Sequence, residues 1–507
     1  MNVEMNLIYE GDTVMKRFSA SPVVIMLATA FLFSASVVVA DQIVDHPDKL
    51  KFEELQYKPP VPKDFRHQLE NGVTAYIAEN HEIPTFDLTV IIGTGSMYEP
   101  EGKAGLANMT GYLMRNGGFK EMATRELDER IAFLAGEISV NISTSQGTAS
   151  LFCLAKDIDE GLELLRGVLR FPTFDQEALD RYQTDVISEL RQRNNKTSSI
   201  ERREWRFLLY GDHPANRSFR RTENSIDSIT REDMLEYHSK YFFPGNFTFA
   251  VSGDFKTKEI IKKLNRLLAD WPDQDLELPE ITDQLPDPNP GVYMIAKEDV
   301  NQSRISLGHL GVKRDNPDEF AVNVMNDILG GGGFTSRIVR RVRSDEGLAY
   351  SVGSAFTKPV LYPGTFRSWF QTKHATAAFG TKLILEEINR IRSEKVDEEA
   401  IETTKSSYVS NLVNPFSSKK AIANTFASDH YTGRPDNYWQ DYTDNMNAVS
   451  ADDVLRAAQT YLHPDRIVFL VVGDPEAVQQ GWDKDPVKLS DFGEITILPL
   501  RDPLTLE

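Results

Sequence analysis

Two stretches of the chain repeat each other: Thr230–Asp254 reads TREDMLEYHSKYFFPGNFTFAVSGD, and Ser450–Asp474 reads SADDVLRAAQTYLHPDRIVFLVVGD. At a fixed offset of 220 residues they share eight identical positions, among them Tyr241 with Tyr461 and Gly253 with Gly473. The units of solenoid proteins are only about 20–50 residues long, so a repeat at this distance indicates a duplicated domain. The sequence therefore predicts two related domains in tandem.

Each copy predicts the same local structure. Thr230 and Ser450 are N-cap residue types, and each has an aspartate three residues later, an arrangement that satisfies the free N–H groups at the start of a helix. A proline ends each helix, and a strand follows. The alternation in Phe247–Val251 predicts a half-buried strand, whereas the apolar run Ile467–Val472 predicts an interior one. Each half thus combines helices with sheet, which places the fold in the α+β class.

Length and composition agree with this organisation. The chain has 507 residues, of which 40% are hydrophobic, enough for a core in each half. The segment Asp273–Pro290 is rich in proline and acidic residues and has no apolar face, which is typical of a linker. We therefore predict a leader at 1–40, domains at 41–272 and 291–507, and a linker at 273–290. The net charge of −20 argues against non-specific nucleic-acid binding, which depends on neutralising phosphates.

The first 40 residues resemble an export signal. Met15–Arg17 is basic, Pro22–Phe33 is strongly apolar, and Val38–Ala40 has the small residues of a cleavage site. This pattern predicts an exported protein whose leader is either cleaved or kept as a membrane anchor. Cys153 is the only cysteine and lies in an apolar run, so we expect a buried thiol and no internal disulfide.

The segment Gly102–Gly118, GKAGLANMTGYLMRNGG, carries a more specific signal. It resembles the zinc helix of the pitrilysin/insulinase family of metallopeptidases, whose sequence runs Gly-Leu-Ala-His-x-x-Glu-His with a later glycine. In that inverted motif two histidines on one helical face hold zinc, and the glutamate acts as general base. The resemblance covers most of the chain, from about Lys63 to Val478, and implies the short, two-domain type of this family.

All three functional positions of the motif are changed in this chain. Asn108 and Tyr112 replace the two histidines, and Gly111 replaces the glutamate. The family's third zinc ligand is a glutamate about 75 to 80 residues further on, and Glu189 lies 77 residues after Tyr112. Glu189 alone cannot hold zinc, and it equally fits a surface carboxylate paired with Arg193 one helical turn later. We therefore expect no metal and no catalytic residue in this chain.

The second half contains Leu329–Tyr350, LGGGGFTSRIVRRVRSDEGLAY. Its glycines do not form a nucleotide-binding loop, because the Lys-Ser/Thr pair of that motif is missing. The stretch instead resembles the second-domain motif of the same family, in which an arginine and a tyrosine seven residues apart hold the bound peptide. Arg343 and Tyr350 match that spacing, so the resemblance implies that they bind substrate. The other interpretations are a solvated basic helix face for Arg343 and an ordinary strand aromatic for Tyr350.

The resemblance also implies an architecture and a function. Each domain is expected to be a largely antiparallel sheet packed with helices, and the two domains form half of a clamshell-like chamber for peptides. The leading hypothesis is a non-catalytic subunit of a heterodimeric zinc peptidase, inactive on its own, with zinc in a homologous partner that has an intact motif. Two alternatives remain: an inactive binding or scaffold protein of the same fold, and a peptidase with a rebuilt metal site. The expected location is the periplasm, without membrane insertion once the leader is removed.

Overall fold

The computed structural model describes His46, Leu50 and residues 57–507, so the predicted leader lies outside the described residues. The first sheet contains the strands β1 Arg66–Gln68, β2 Thr74–Glu79, β3 Thr85–Ile92, β4 Glu137–Ile142, β5 Gly147–Leu154 and β6 Phe247–Gly253. The helices of this part are α1 Leu106–Asn116, α2 Thr124–Phe133, α3 Ile158–Arg170, α4 Gln176–Gln192, α5 Thr197–Tyr210, α6 Glu223–Asp227, α7 Arg231–Tyr241 and α8 Thr257–Leu268.

The second sheet contains β7 Gly291–Ala296, β8 Ser303–Leu310, β9 Val352–Phe356, β10 Thr365–Thr372, β11 Val468–Gly473 and β12 Ile495–Leu498. The helices of this part are α9 Glu319–Asn326, α10 Arg337–Val339, α11 Ala377–Ser393, α12 Glu398–Asn411, α13 Lys419–Tyr431, α14 Tyr438–Asn447, α15 Ala451–Tyr461 and α16 Pro475–Gln480. Two π-helical segments, Asp327–Gly331 and Arg340–Asp345, follow α9 and α10.

Five of the six strands in each sheet follow the same topology. Their strand orders are β1-β2-β6-β3-β5-β4 and β12-β7-β11-β8-β10-β9. In each sheet the strand from the repeated segment lies between a parallel neighbour, β2 or β7, and an antiparallel one, β3 or β8. The sheets differ at one edge, where β1 is antiparallel to its neighbour and β12 is parallel. The shared order confirms the α+β fold and the relation between the two halves.

The repeated segments behave alike at their helix starts and also at their strands. Thr230 and Ser450 both form complete capping boxes with the aspartate three residues later. Strand β11 is buried along its whole length, as expected, but so is β6, which we had predicted to be half-buried. The prediction was wrong because helix α13, which comes from the second half of the chain, covers the other face of the first sheet.

Each half supplies a helix to the sheet of the other half. Phe426 on α13 packs against Tyr76 on β2, with the ring centroids 6.1 Å apart. In return, α5 lies against β8 and β11 of the second sheet. Its buried Glu201 accepts hydrogen bonds from Arg304 Nε at 2.7 Å and Arg367 Nη2 at 2.6 Å. This exchange fastens the two halves to each other, since neither sheet is fully covered by its own segment.

Residues 269–290 contain no helix or strand and run along the surface. Asp273 accepts a hydrogen bond from the Gly245 backbone at 2.8 Å, and the Thr282 carbonyl accepts one from His213 Nε2 at 3.0 Å. Cys153 is fully buried, as predicted, and burial raises the pKa of its thiol to about 12. Within the described part of the chain, no helix is both long and apolar enough to cross a bilayer.

Candidate functional site

A buried carboxylate holds the start of α1, the helix that carries the changed zinc motif. Glu99 accepts hydrogen bonds from the backbone N–H groups of Ala107 at 2.8 Å and Gly105 at 3.2 Å. Only 1% of Glu99 is exposed, and burial raises the pKa of its carboxyl to about 7 despite these N–H groups and the nearby Arg217 and Arg221. The carboxyl that holds the start of the helix therefore loses its proton near neutral pH.

The next part of α1 is joined to the edge strand β4. Asn108 Nδ2 donates to the carbonyl of Ile142 at 2.7 Å, and Arg115 Nε donates to the carbonyl of Ile138 at 3.0 Å. Gly111 allows this close approach, because an added Cβ would lie 3.2 Å from Ile142 Cγ1. Asn108, at the position of the first zinc ligand, thus donates its amide N–H to the edge strand of the first sheet.

Tyr112 stacks on a second tyrosine instead of pointing a ligand atom at a metal. Its ring lies 4.2 Å from that of Tyr182 on α4, with an angle of 22° between the planes, and 42% of Tyr112 is exposed. Burial raises the pKa of Tyr182; the positive charge of Arg221 opposes this rise, and the negative charge of Glu189 adds to it. Glu189 is exposed, and the ion pair with Arg193 that its spacing allows is absent from the described residues; Arg193 Nη1 donates to the carbonyl of Arg221.

Asn108, Tyr112 and Tyr182 line an open depression of about 400 Å³, whose donor groups are those of a polar surface and not of a zinc site. An amide, a glycine and a phenol occupy the positions at which the family has two imidazoles and a carboxylate. Across the residues that the structure describes, no three His, Cys, Asp or Glu side chains are grouped so that they could hold a metal ion. The side chains present do not fit zinc.

Arg343 and Tyr350, the pair that the sequence predicts to bind substrate, lie at a solvent-exposed surface. The guanidinium carbon of Arg343 is 4.5 Å from the ring centroid of Tyr350, and 85% of Tyr350 is exposed. Tyr350 precedes β9 and does not belong to the strand. Within residues 57–507, Arg343 has no hydrogen bond and no ion pair, and the Tyr350 hydroxyl has no hydrogen bond. Both side chains therefore offer free polar groups to solvent.

Sequence reasoning missed one residue of this surface. The ring centroid of Phe334 lies 4.4 Å from the guanidinium carbon of Arg343, and 66% of Phe334 is exposed. The sequence feature that could have indicated it is a large apolar residue directly after four glycines, where a buried side chain is not expected. The turn itself is well packed on one side, since a Cβ on Gly330 would approach Ser354 Oγ to 2.5 Å, and Gly333 has a φ of 65° that favours glycine.

His213 forms hydrogen bonds within the fold. Its Nδ1 accepts a hydrogen bond from the Ala215 backbone at 3.2 Å, and its Nε2 donates to the Thr282 carbonyl. Only 6% of it is exposed, and burial lowers the pKa of the imidazole. Both ring nitrogens are therefore hydrogen-bonded within the chain.

Comparisons with known proteins agree with this geometry. The family profile described as Insulinase (Peptidase family M16) matches residues 75–222, and the profile described as Peptidase M16 inactive domain matches residues 228–408. An uncharacterized zinc protease of Rickettsia bellii is 22% identical over 68% of this chain and 82% of its own length. A Helicobacter pylori protein named non-peptidase homolog YmxG is 22% identical over 78% of this chain and 90% of its own length.

Solved structures show the same fold. A peptidase M16 inactive domain from Pseudomonas fluorescens superposes with a TM-score of 0.74 at 24% identity, covering 81% of this chain and 97% of its own. The periplasmic protease PqqL of Escherichia coli gives a TM-score of 0.70 at 16% identity, over 90% of this chain and 51% of its own. With its two matching profiles and a changed zinc motif on α1, the chain belongs to the insulinase family of peptidases, M16.

Proposed function

We propose that this chain is the non-catalytic subunit of a heterodimeric zinc peptidase. In this role it helps to enclose an extended peptide and holds it through Arg343 and Tyr350, while a homologous partner supplies zinc and the general base. The partner's zinc would polarise the scissile carbonyl and activate water. The present chain would contribute only binding and orientation, which lower the barrier by positioning the reacting groups.

The observation that carries this proposal is the free state of Arg343. Its guanidinium is placed against Tyr350 without any polar partner in the described chain, so its N–H groups remain available to peptide carbonyls. At the changed zinc motif, by contrast, the Asn108 amide is already bonded to Ile142, and Gly111 has no side chain to accept a proton. A surface with binding groups and no base suits a subunit that holds substrate for another.

The first experiment is a mild pull-down of the tagged chain from its host, followed by mass spectrometry and a peptide-hydrolysis assay. We expect a stoichiometric homologue with an intact zinc motif and activity that a chelator removes. In the reconstituted pair, Arg343→Ala should lower kcat/KM by about 50-fold and Tyr350→Phe by about fivefold, because each removes hydrogen bonds to the substrate. Unchanged hydrolysis in both variants would overturn the proposal.

A binding or scaffold role without chemistry is the second candidate. It is favoured by the Helicobacter pylori relative, which is named a non-peptidase homolog and spans 78% of this chain. This candidate predicts that the chain elutes alone or with proteins that are not peptidases, and that the eluate has no activity. The third candidate, a rebuilt metal site, predicts one tightly bound zinc per purified chain by elemental analysis.

We further propose that the chain is exported and acts in the periplasm. The support is the basic, apolar and small-residue pattern of residues 1–40. Mass spectrometry of the protein's N-terminus from a fractionated host tests this directly. A mature chain that begins near Asp41 in the periplasmic fraction is expected, whereas an intact leader in the membrane fraction would indicate the anchor.

A further inference from the structure

The strongest unassigned feature of the molecule is the ring of Phe334. It is one of few large apolar side chains that are more than half exposed in the described part of the chain, and Tyr350 is another. Both rings contact the same guanidinium, at 4.4 Å and 4.5 Å from Arg343 Cζ. We call Phe334, Arg343 and Tyr350 the aromatic clamp.

Cation–π contacts explain how Arg343 keeps its donors free. A guanidinium against a ring face is stabilised by the ring's electron density, and this contact uses none of its five N–H groups. An ion pair would instead orient the side chain by consuming those donors. The clamp therefore holds the guanidinium in place while its edge remains available to a ligand.

The space beside the clamp is open. Gly331 and Gly333 flank the turn and are exposed, and a Cβ built on Gly333 would meet no atom within 4 Å. A chain that approaches Arg343 would thus pass close to the Phe334 ring without meeting side chains of the turn. Exposed aromatic residues next to an arginine are also the composition typical of binding hot spots.

We propose that Phe334 and Tyr350 form a subsite for a bulky apolar side chain of a peptide whose backbone carbonyls bind Arg343. The inference rests on the proposed peptide-binding function and names its substrate class: extended peptides with an aromatic or large aliphatic residue at the clamp. Burying such a side chain against Phe334 removes apolar surface of both from water, which is the driving force for selection.

A bound carboxylate is the competing use of Arg343, and it makes a different prediction. Binding of a carboxylate by Arg343 would require no ring at position 334. The affinity for a peptide would then depend on the charge of the peptide and on the salt concentration. Phe334 would then act only by keeping the guanidinium in place. The test therefore has to separate the selection of an apolar side chain from the loss of the arginine's position.

The experiment measures peptide binding to the purified full chain by fluorescence anisotropy. The probes are labelled ten-residue Gly/Ser peptides that carry one central Phe, Ala or Glu. We expect the Phe peptide to bind about tenfold tighter than the Ala peptide, which corresponds to one aromatic contact. Phe334→Ala should remove this preference, and Phe334→Tyr should keep it. Arg343→Ala should weaken all three peptides.

The chain offers a matched control in Phe133. That residue is 75% exposed and lies 5.1 Å from the guanidinium carbon of Arg130 on α2, far from the clamp in sequence. Phe133→Ala should leave both affinity and preference unchanged. Thermal unfolding of every variant shows whether the fold is kept. The reaction rate of Arg343 with phenylglyoxal, followed by mass spectrometry, should rise in Phe334→Ala if the ring positions the guanidinium.

The outcomes distinguish a failure of the proposed peptide-binding function from a failure of the subsite alone. If the wild-type chain binds no peptide, the proposed function and the subsite both fail. If peptides bind but Phe334→Ala keeps the full preference for Phe, the subsite fails and the proposed function stands. If the Glu peptide binds most tightly and Phe334→Ala leaves that order unchanged, the site is a carboxylate site, and the proposed subsite is wrong.

Discussion

The two halves of this protein share a topology and differ in what they do with their polar groups. On α1, the donor of Asn108 is bonded to the edge strand, and Tyr112 is stacked on Tyr182. Around the second π-helical segment, Arg343 is held by rings alone, and its donors are free. The changed zinc motif is thus part of the packing, whereas the polar groups of Arg343 and Tyr350 have no hydrogen-bond partner within the described residues. Four predictions test this contrast.

The largest expected effect is the return of zinc. Asn108→His with Tyr112→His places two imidazoles one helical turn apart on α1, and Glu189 can supply a third ligand. We expect about one zinc per chain after dialysis, and addition of Glu189→Gln should reduce it sharply. No hydrolysis is expected while Gly111 lacks a base. Failure to bind zinc would mean that Glu189 does not reach the two introduced imidazoles.

A second prediction concerns pH and the start of α1. The pKa of Glu99 in the folded chain is about 7, above the 4.5 usual for a glutamate carboxyl, so between these values the folded chain binds a proton that the unfolded chain has lost. Stability from this group is therefore lost as pH rises from about 4.5 to 7, by about 3 kcal/mol in total. In urea titrations, the free energy of unfolding of Glu99→Gln should increase relative to that of the wild type across this pH range, because glutamine does not titrate. Parallel curves would contradict the buried acid.

The third prediction separates packing from binding at the changed motif. Asn108→Ala removes the bond to the Ile142 carbonyl and should lower the free energy of unfolding by about 1–2 kcal/mol. Asn116→Ala is the matched control, because its Nδ2 bonds only to Tyr112 O on the same exposed helix surface. Peptide affinity should be unaffected by Asn108→Ala, in contrast to Arg343→Ala. A loss of affinity would place Asn108 in the binding site.

The smallest expected effect is the coupling of the stacked tyrosines. A double-mutant cycle with Tyr112→Ala and Tyr182→Ala should give an interaction energy of about 0.5–1.5 kcal/mol in unfolding experiments. This is the range for an aromatic pair at a partly exposed position. A coupling close to zero would mean that Tyr112 is only tolerated at the second zinc position and does not support the fold.

Local signals in the sequence predicted the starts of the two repeated helices well. The capping boxes at Thr230 and Ser450 depend only on neighbouring residues and formed as expected. The spacing of Arg343 and Tyr350 likewise led to two side chains that are in contact. Phe334 was missed because its role depends on which side of a turn faces Arg343, and no periodic pattern records that.

The sequence by itself determined the duplication, the α+β class and the changes at the three zinc-motif positions, because these follow from residue identity and local spacing. Only the tertiary structure decided which faces are buried and which donors are free. Strand β6 became an interior strand because α13 arrives from about 170 residues further along the chain. Arg193 donates to the backbone carbonyl of Arg221 and forms no ion pair with Glu189 within the described residues. Such choices depend on contacts between distant segments, which compete with local preferences and outweigh them where burial is at stake.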